Sequence, residues 1–194
     1  MVRITGNASS TGFSRHWATI RNRKGRIRSA PSFASCTAAL FLAWLLPGRP
    51  TLRFRLHGNE PSHHTVYFYN FAGRPWRTQE LVNQVRSEFY NATPAGYAGN
   101  DDCGQMSAWY IFSALGFYPF NAGAAEYVTG TPLFQRATLH LAGGKEFTIT
   151  RKGDKGIYVK EIRLNGKRLQ GFKLKHQDIM AGGTLEFVMS ERRP

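Results

Sequence analysis

Residues 57–82 read HGNEPSHHTVYFYNFAGRPWRTQELV, and residues 99–120 read GNDDCGQMSAWYIFSALGFYPF. These two stretches decide the fold, because each combines a helical pattern with a turn that is dense in polar side chains. Aromatic and apolar residues crowd the segment from His64 to Phe71, which predicts a short buried helix. The two stretches therefore indicate a helical region whose loops are rich in functional groups.

Two longer helices are predicted next to these turns. Thr78 is the predicted N-cap of a helix with the sequence QELVNQVRSEFY, in which Leu81, Val82, Val85 and Phe89 recur at helical spacing. A second helix is predicted over 105–115, and Gly116 is its expected C-terminal stop. A turn-rich loop, NATPAGYAGNDDCG, connects the two helices.

From about Glu126 onward the apolar pattern changes its period. Residues 136–153 alternate apolar and polar side chains around a Gly-Gly turn, and residues 157–169 do so around an Asn-Gly turn. Residues 184–190 supply a final strand. This region predicts a small antiparallel sheet or half-sandwich that serves packing and cover.

The chain is therefore predicted to be α+β and to divide into residues 1–56, 57–125 and 126–194. The first segment has a basic beginning and an apolar run from Phe33 to Leu46. That run is shorter than the ~20 apolar residues that span a bilayer as a helix. A secretory signal or short anchor is one interpretation of this segment. We favour the other interpretation, an irregular leader that is disordered or non-native.

The charge of the chain is concentrated in that first segment. The whole chain carries 26 Lys and Arg against 12 Asp and Glu, but residues 1–56 hold ten of the basic residues and no acid. The remainder, with 16 basic and 12 acidic residues, has only a small excess of positive charge. The composition therefore does not favour nucleic acid as a partner, because basic and aromatic residues are not interleaved in one segment. A membrane partner is not expected either.

The turn at residues 57–64 concentrates groups that titrate or coordinate. Glu60 stands beside Asn59, among three histidines, and between a glycine and a proline. Two interpretations stay open at this point. The turn is either a capped helix start with hydrogen-bonded histidines, or part of a binding site.

The turn at residues 99–105 contains two adjacent carboxylates, Asp101 and Asp102, ahead of a helix. They could favour the positive end of the helix dipole. They could equally bind a hard cation, which prefers oxygen ligands, or activate a water molecule as a general base. The glycines on both sides indicate a tightly shaped backbone, which capping alone would not require.

The two stretches, together with the later YVTGTPLF and LNGKRL, resemble the C-terminal part of the catalytic domain of glycoside hydrolase family 92. The resemblance extends over residues 57–194 and does not include residues 1–56. It implies an (α/α)6-barrel catalytic domain, preceded by a β-sandwich domain, of which this chain holds the last helices and the closing strands. It also implies removal of terminal α-linked mannose with inversion, and dependence on Ca²⁺.

The resemblance also implies roles for individual residues. Asp102 is the expected general base, and Asp101 or Asn100 is expected to assist it or to order the water. Asn59 and Glu60 are expected at the sugar or calcium site, and His57 is expected to face the leaving group. Gln105 is a further candidate ligand of the metal ion. The expected partners are α-mannoside glycans.

The family's general acid is a glutamate upstream of the GNEP motif, whereas this chain has no acid before Glu60. We therefore expect a fragment that is inactive by itself and that needs the missing N-terminal part of the catalytic domain. The alternative is a carbohydrate- or calcium-binding module without turnover. The resemblance makes a secreted or periplasmic location plausible, but the sequence leaves location open.

Overall fold

The computed structural model describes residues 57–153 and 155–194, so the predicted leader lies outside the described residues. Two 3₁₀ turns, Glu60–Ser62 and Thr65–Tyr67, lead into the first helix. The helices are α1 Phe68–Phe71, α2 Pro75–Phe89, α3 Gln105–Leu115 and α4 His176–Ala181. No helix within the described ranges is long and apolar enough to cross a membrane.

Within the described part of the chain, eight strands form two sheets. The strands are β1 Phe117–Asn121, β2 Glu126–Thr129, β3 Arg136–His140, β4 Glu146–Gly153, β5 Tyr158–Leu164, β6 Lys167–Arg168, β7 Lys173–Lys175 and β8 Gly183–Ser190. The smaller sheet has the order β1-β2-β7, and the larger has the order β3-β4-β8-β5-β6. The mixed helix and sheet content confirms the α+β class, while membership of the helices in an (α/α)6 barrel stays a prediction.

The helix over 105–115 is confirmed at both ends. Gly116 follows it with φ 97°, a left-handed conformation that glycine adopts without steric cost, and its N–H donates to the carbonyls of Phe112 and Ser113. The start of α2 was predicted wrongly. The helix begins at Pro75, whose fixed φ suits the first helical position. Thr78 lies inside the helix, where its hydroxyl donates to the Val66 carbonyl at 2.9 Å.

The two predicted hairpins are confirmed, but the sheet that contains them is mixed rather than antiparallel. Strands β3 and β4 pair antiparallel, as do β5 and β6. The final strand β8 pairs antiparallel with β5 and parallel with β4. This parallel pairing is possible because the chain between β4 and β8 is long enough for a crossover. The β1–β2 hairpin was not predicted. It extends across the predicted boundary between residues 125 and 126, and that boundary stays a prediction.

The helical layer and the larger sheet each have an apolar core, and polar contacts join them. One core is built around Leu81, Val82, Val85 and Trp109, and the other around Phe147, Ile149, Leu185 and Phe187. The Gln79 side-chain oxygen accepts from Val159 N–H at 3.0 Å, which ties α2 to β5. The larger sheet thus holds the helical layer of α2 and α3 in place. Helix α3 begins at the loop that carries the predicted site residues.

Candidate functional site

The two polar loops touch each other backbone to backbone at glycines. A Cβ added to Gly58 would lie 1.8 Å from the Ala98 carbonyl oxygen, and one added to Gly99 would lie 2.9 Å from the Gly58 carbonyl oxygen. Both distances are shorter than side chains tolerate, so this approach requires glycine on each side. The turn at 57–64 and the turn at 99–105 therefore form one surface, although about 40 residues separate them in sequence.

This approach brings two carboxyl groups into contact. Glu60, half-buried, shares a side-chain hydrogen bond with Asp102. That bond, together with partial burial and the negative charge of Asp102, raises the pKa of Glu60. Two carboxyl groups in contact favour either a shared proton or a bound cation, since both charges cannot otherwise be held so close together.

Asp101 is turned away from this pair toward the helix. Its Oδ1 accepts hydrogen bonds from the backbone N–H and from the hydroxyl of Ser107, each at 2.9 Å. Ser107 lies in the first turn of α3, so Asp101 satisfies a helix N–H that has no partner within the helix. The predicted catalytic Asp101 therefore holds the loop onto the helix, while the carboxyl group of Asp102 remains at the surface.

Replacing Asp101 by Ala is expected to lower the free energy of unfolding by about 1 kcal/mol, because α3 loses its N-terminal acceptor. Chemical denaturation measures this loss. Asp102→Asn serves as the control, since Asp102 (φ 44°) makes no helix cap and Asn tolerates the same left-handed backbone. Its free energy of unfolding should stay within about 0.5 kcal/mol of wild type. Equal losses in both variants would contradict the capping role.

His57 lies in the core behind the two loops. Its side chain is 1% exposed, and its Nε2 lies 2.8 Å from the Tyr90 hydroxyl. Its ring centroid lies 4.5 Å from that of Trp109. Burial, followed by the nearby His63, lowers the pKa of His57 to about 3. The structure thus places His57 in the core beneath the loop, and its expected position facing the leaving group stays a prediction.

Gln105, the first residue of α3, is joined to the other loop through His63. Its Nε2 lies 3.2 Å from His63 Nδ1 and 3.5 Å from the Tyr118 hydroxyl. Asn59 and Asn100 are exposed, one on each loop. The structure therefore brings Glu60 into contact with Asp102 and joins Gln105 to His63, and it leaves the two asparagines exposed.

The donors at this surface have the chemistry of a hard-cation site. The carboxylates of Glu60 and Asp102 and the amides of Asn59 and Gln105 offer oxygen atoms, which Ca²⁺ prefers. The contact between Glu60 and Asp102 fits a cation, because a bound positive charge would stabilise the ionised form of Glu60, whose pKa is raised by the hydrogen bond to Asp102, by partial burial and by the negative charge of Asp102. Within residues 57–153 and 155–194, no group of three or more His, Cys, Asp or Glu side chains converges on one point. These residues therefore fit part of a calcium shell, not all of it.

Sequence reasoning missed three residues on which this arrangement depends. Gly58 and Gly99 set the contact between the loops, and His63 joins the loops through its ring. The signal for the glycines was present, since both flank the polar turns. The role of His63 had no sequence signal that separated it from the two neighbouring histidines, because its burial is set by tertiary packing.

Comparison with known proteins identifies a family whose sequences match this chain. The sequence profile of the glycosyl hydrolase family 92 catalytic domain matches residues 52–191. A protein described as an uncharacterized secreted glycosidase of Arthroderma benhamiae is 30% identical over 139 residues, which cover 69% of this chain and 18% of that protein.

Solved structures agree with this match. A family 92 α-mannosidase from Bacteroides thetaiotaomicron superposes with a TM-score of 0.67 at 42% identity, over 71% of this chain and 19% of the other. The complex of that enzyme with mannoimidazole gives a TM-score of 0.69 at 38% identity, over 82% of this chain and 22% of the other. An inverting family 92 mannosidase from the same organism gives a TM-score of 0.64 at 40% identity, over 70% of this chain and 19% of the other.

The chain spans about a fifth of the length of these relatives. The part that matches is the part described above, and it includes both polar loops and the sheets that follow them. The family profile covers well over half of the chain, and the solved structures share its fold over that region. This chain belongs to glycosyl hydrolase family 92.

Proposed function

We propose that residues 57–194 carry the water-activating side of an α-mannosidase site that works by inversion and depends on Ca²⁺. The contact between Glu60 and Asp102 carries this proposal, because it joins the two polar loops in one acidic centre. The relatives support the substrate class, since two are α-mannosidases and one of these was solved with mannoimidazole. The description of one relative as inverting supports the stereochemical course.

The closeness of the two carboxyl groups assigns them to the same side of the substrate. An inverting glycosidase holds its acid and its base roughly 6.5–9.5 Å apart, so that a water molecule fits between the base and the sugar. Glu60 and Asp102 share a hydrogen bond, which is much too close for such a pair. In this proposal Asp102 is the general base that takes a proton from water, and Glu60 acts beside it.

The other residues support this base. Glu60, Asn59 and Gln105 would hold the calcium ion, which, when bound, supplies a positive centre for sugar hydroxyls. Asn100 at the rim would contact the sugar. Asp101 assists indirectly, because its bonds to Ser107 fix the loop on which Asp102 lies.

The proton for the leaving group would come from outside this chain. Residues 1–56 contain no Asp or Glu, Glu60 is engaged with Asp102, and Asp101 is engaged with Ser107. General acid catalysis contributes about 10²–10⁴-fold to rate. We therefore propose that the chain alone binds mannosides or calcium without turnover, and that the missing N-terminal part of the catalytic domain is needed for hydrolysis. A location outside the cytoplasm, secreted or periplasmic, belongs to this proposal, since one relative is described as secreted.

The assignment of the base is tested in the Bacteroides α-mannosidase at 42% identity, at the residue that superposes on Asp102. Changing it to Asn should lower kcat by about 10²–10⁴-fold, because proton removal from water loses its acceptor. The residue that superposes on Asp101 is the comparison, and its change to Asn should lower kcat less, since Asn still accepts the helix N–H. A kcat within a few-fold of wild type for the first variant would show that the base is another residue.

The purified chain distinguishes an enzyme fragment from a binding module. Hydrolysis of an aryl α-mannoside is measured with calcium and then with EDTA. The proposal predicts no turnover in a folded sample under either condition. Turnover that EDTA abolishes would contradict the statement that the proton donor lies outside this chain.

A further inference from the structure

The β5–β6 hairpin borders a surface cavity of about 330 Å³. Its lining residues are Leu164, Asn165, Lys167, Arg168, Leu169 and Gln170. This volume lies at the lower end of the range for sites that hold small ligands. The two leucines are half-buried and supply an apolar wall, whereas the other four side chains are exposed and polar or charged. The cavity therefore offers an apolar face and several hydrogen-bond donors to one small ligand.

Lys167 and Arg168 give this cavity a positive charge that has no counter-charge in the described part of the chain. Within residues 57–153 and 155–194, neither side chain forms an ion pair. The carboxylates on β5 and β8, Glu161 and Glu186, both lie against Arg163 instead, at 2.7 and 3.9 Å. The two cations that line the cavity are therefore available to an anion from outside.

The register of the hairpin makes this charge unfavourable for the fold. Arg168 on β6 lies directly opposite Arg163 on β5. Like charges in directly opposite positions destabilise a sheet. The pKa of Glu161 is lowered, first by its hydrogen bond from Arg163 and further by the charge of Arg168. An acidic residue opposite Arg163 would stabilise the hairpin, so an arginine there fits a role in binding an anion.

The two amide side chains add neutral donors to the same cavity. Asn165 accepts a hydrogen bond from the backbone N–H of Thr184 through its Oδ1, at 2.7 Å. Its NH₂ group is the other end of that amide, and it has no acceptor among the described residues. The exposed Gln170 side chain has no hydrogen-bond partner among them either. Amide donors suit the hydroxyl oxygens of a sugar, and the leucine wall suits the apolar face of its ring.

We propose that this cavity binds a sugar that carries a tetrahedral oxyanion, phosphate or sulfate, which Lys167 and Arg168 hold. A guanidinium matches such a group well, because it can donate two parallel hydrogen bonds to it. The inference goes beyond the proposed function, since it needs neither calcium nor the acidic centre. A glycan is a ligand that a glycosyl hydrolase meets, and this site would bind a charged part of it.

The first test titrates glucose 6-phosphate, glucose 6-sulfate, glucose and inorganic phosphate into the chain at low salt with EDTA present. Glucose replaces mannose so that binding at the acidic centre is not counted. One or both of the charged sugars should shift the backbone amide resonances of residues 164–170, and glucose and inorganic phosphate should bind at least about tenfold more weakly. No shift at 164–170 with either charged sugar would overturn the inference. Inorganic phosphate that binds equally tightly would overturn its sugar part.

The second test compares Arg168→Gln with Arg136→Gln, which removes the same charge from β3 at the opposite edge of the sheet. Arg168→Gln should lower the affinity for the charged sugar about tenfold, because a charge-assisted hydrogen bond is lost. Its melting temperature should equal or exceed that of the wild type, because the repulsion from Arg163 is removed. Arg136→Gln should leave the affinity unchanged. Equal affinities in wild type and Arg168→Gln, or a lower melting temperature of Arg168→Gln, would overturn the binding role of Arg168.

Discussion

Replacing Gly58 by Ala is expected to separate the two polar loops and to lower the free energy of unfolding by about 3 kcal/mol, the upper end of the usual range for overpacking. The added Cβ would lie 1.8 Å from the Ala98 carbonyl oxygen and 3.0 Å from the Ala98 carbonyl carbon. Both atoms belong to the backbone, so no side-chain rotation relieves the clash. The loop that carries Asp102 must therefore move away from Glu60.

Gly123→Ala is the matched control for this substitution. The nearest atom to a Cβ at Gly123 is the Asn121 side-chain oxygen, at 3.6 Å, which is an ordinary contact. Chemical denaturation of both variants measures the difference. If Gly58→Ala were as stable as Gly123→Ala, the close approach of the two loops would not exist in solution.

Acidification from pH 7 to pH 4.5 is expected to lower the free energy of unfolding by about 5 kcal/mol. Histidines in the unfolded chain titrate near pH 6.5, whereas the pKa of His57 is lowered to about 3 and that of His63 to about 4. Below pH 6.5 the unfolded state therefore binds two protons that the folded state does not bind. Stability is full above pH 6.5 and falls as pH decreases, by about 1.36 kcal/mol per pH unit for each histidine.

The surrounding groups set the size of this effect. His57 and His63 face each other with ring centroids 4.9 Å apart, and burial disfavours a charge on either one. The raised pKa of Glu60 acts in the opposite direction, because protonation of Glu60 in the folded state adds stability as pH falls. The contribution of Glu60 therefore explains a decrease in the free energy of unfolding that is smaller than 5 kcal/mol. The protein should still become less stable as the pH falls.

The control for the acid effect compares two histidine substitutions. His63→Gln should remove about half of the pH dependence, and His176→Gln, at an exposed position, should leave it unchanged. Denaturant midpoints at pH 7 and pH 4.5 are measured for each. An unchanged pH dependence in His63→Gln would mean that other groups cause the loss of stability in acid.

Local patterns predicted the secondary structure well wherever one strong signal decided it. The apolar spacing and Gly116 gave the limits of α3, and the Asn165–Gly166 turn gave the β5–β6 hairpin. The start of α2 was missed because Thr78 has the preferred chemistry of an N-cap, whereas the helix begins at Pro75, four residues before the predicted first helical residue Gln79. Thr78 instead satisfies a carbonyl of the preceding segment, which is a tertiary contact.

Tertiary relationships were not predictable from the same patterns. The alternation in β8 indicates a strand, but it does not show that β8 lies between β4 and β5 and pairs parallel with β4. Likewise, the sequence marked Glu60 and Asp102 separately, but not their contact. That contact depends on Gly58 and Gly99, which allow an approach that local spacing does not reveal.

The roles of the acidic residues show the same limit. Asp101 and Asp102 are neighbours with the same chemistry, so no local pattern assigns one to the helix and the other to the surface. The structure separates them, because Asp101 bonds to Ser107 in the first turn of α3 while Asp102 bonds to Glu60.

A calorimetric titration of Ca²⁺ into the chain, compared with Glu60→Gln and Glu88→Gln, tests whether Glu60 and Asp102 form a cation-binding centre. Glu88 is exposed on α2, so its variant removes the same charge away from the acidic centre. Glu60→Gln is expected to weaken calcium binding at least about tenfold, whereas Glu88→Gln is expected to leave it unchanged. Calcium binding of equal affinity in wild type and in Glu60→Gln would contradict the claim that Glu60 and Asp102 form the cation- and sugar-binding centre.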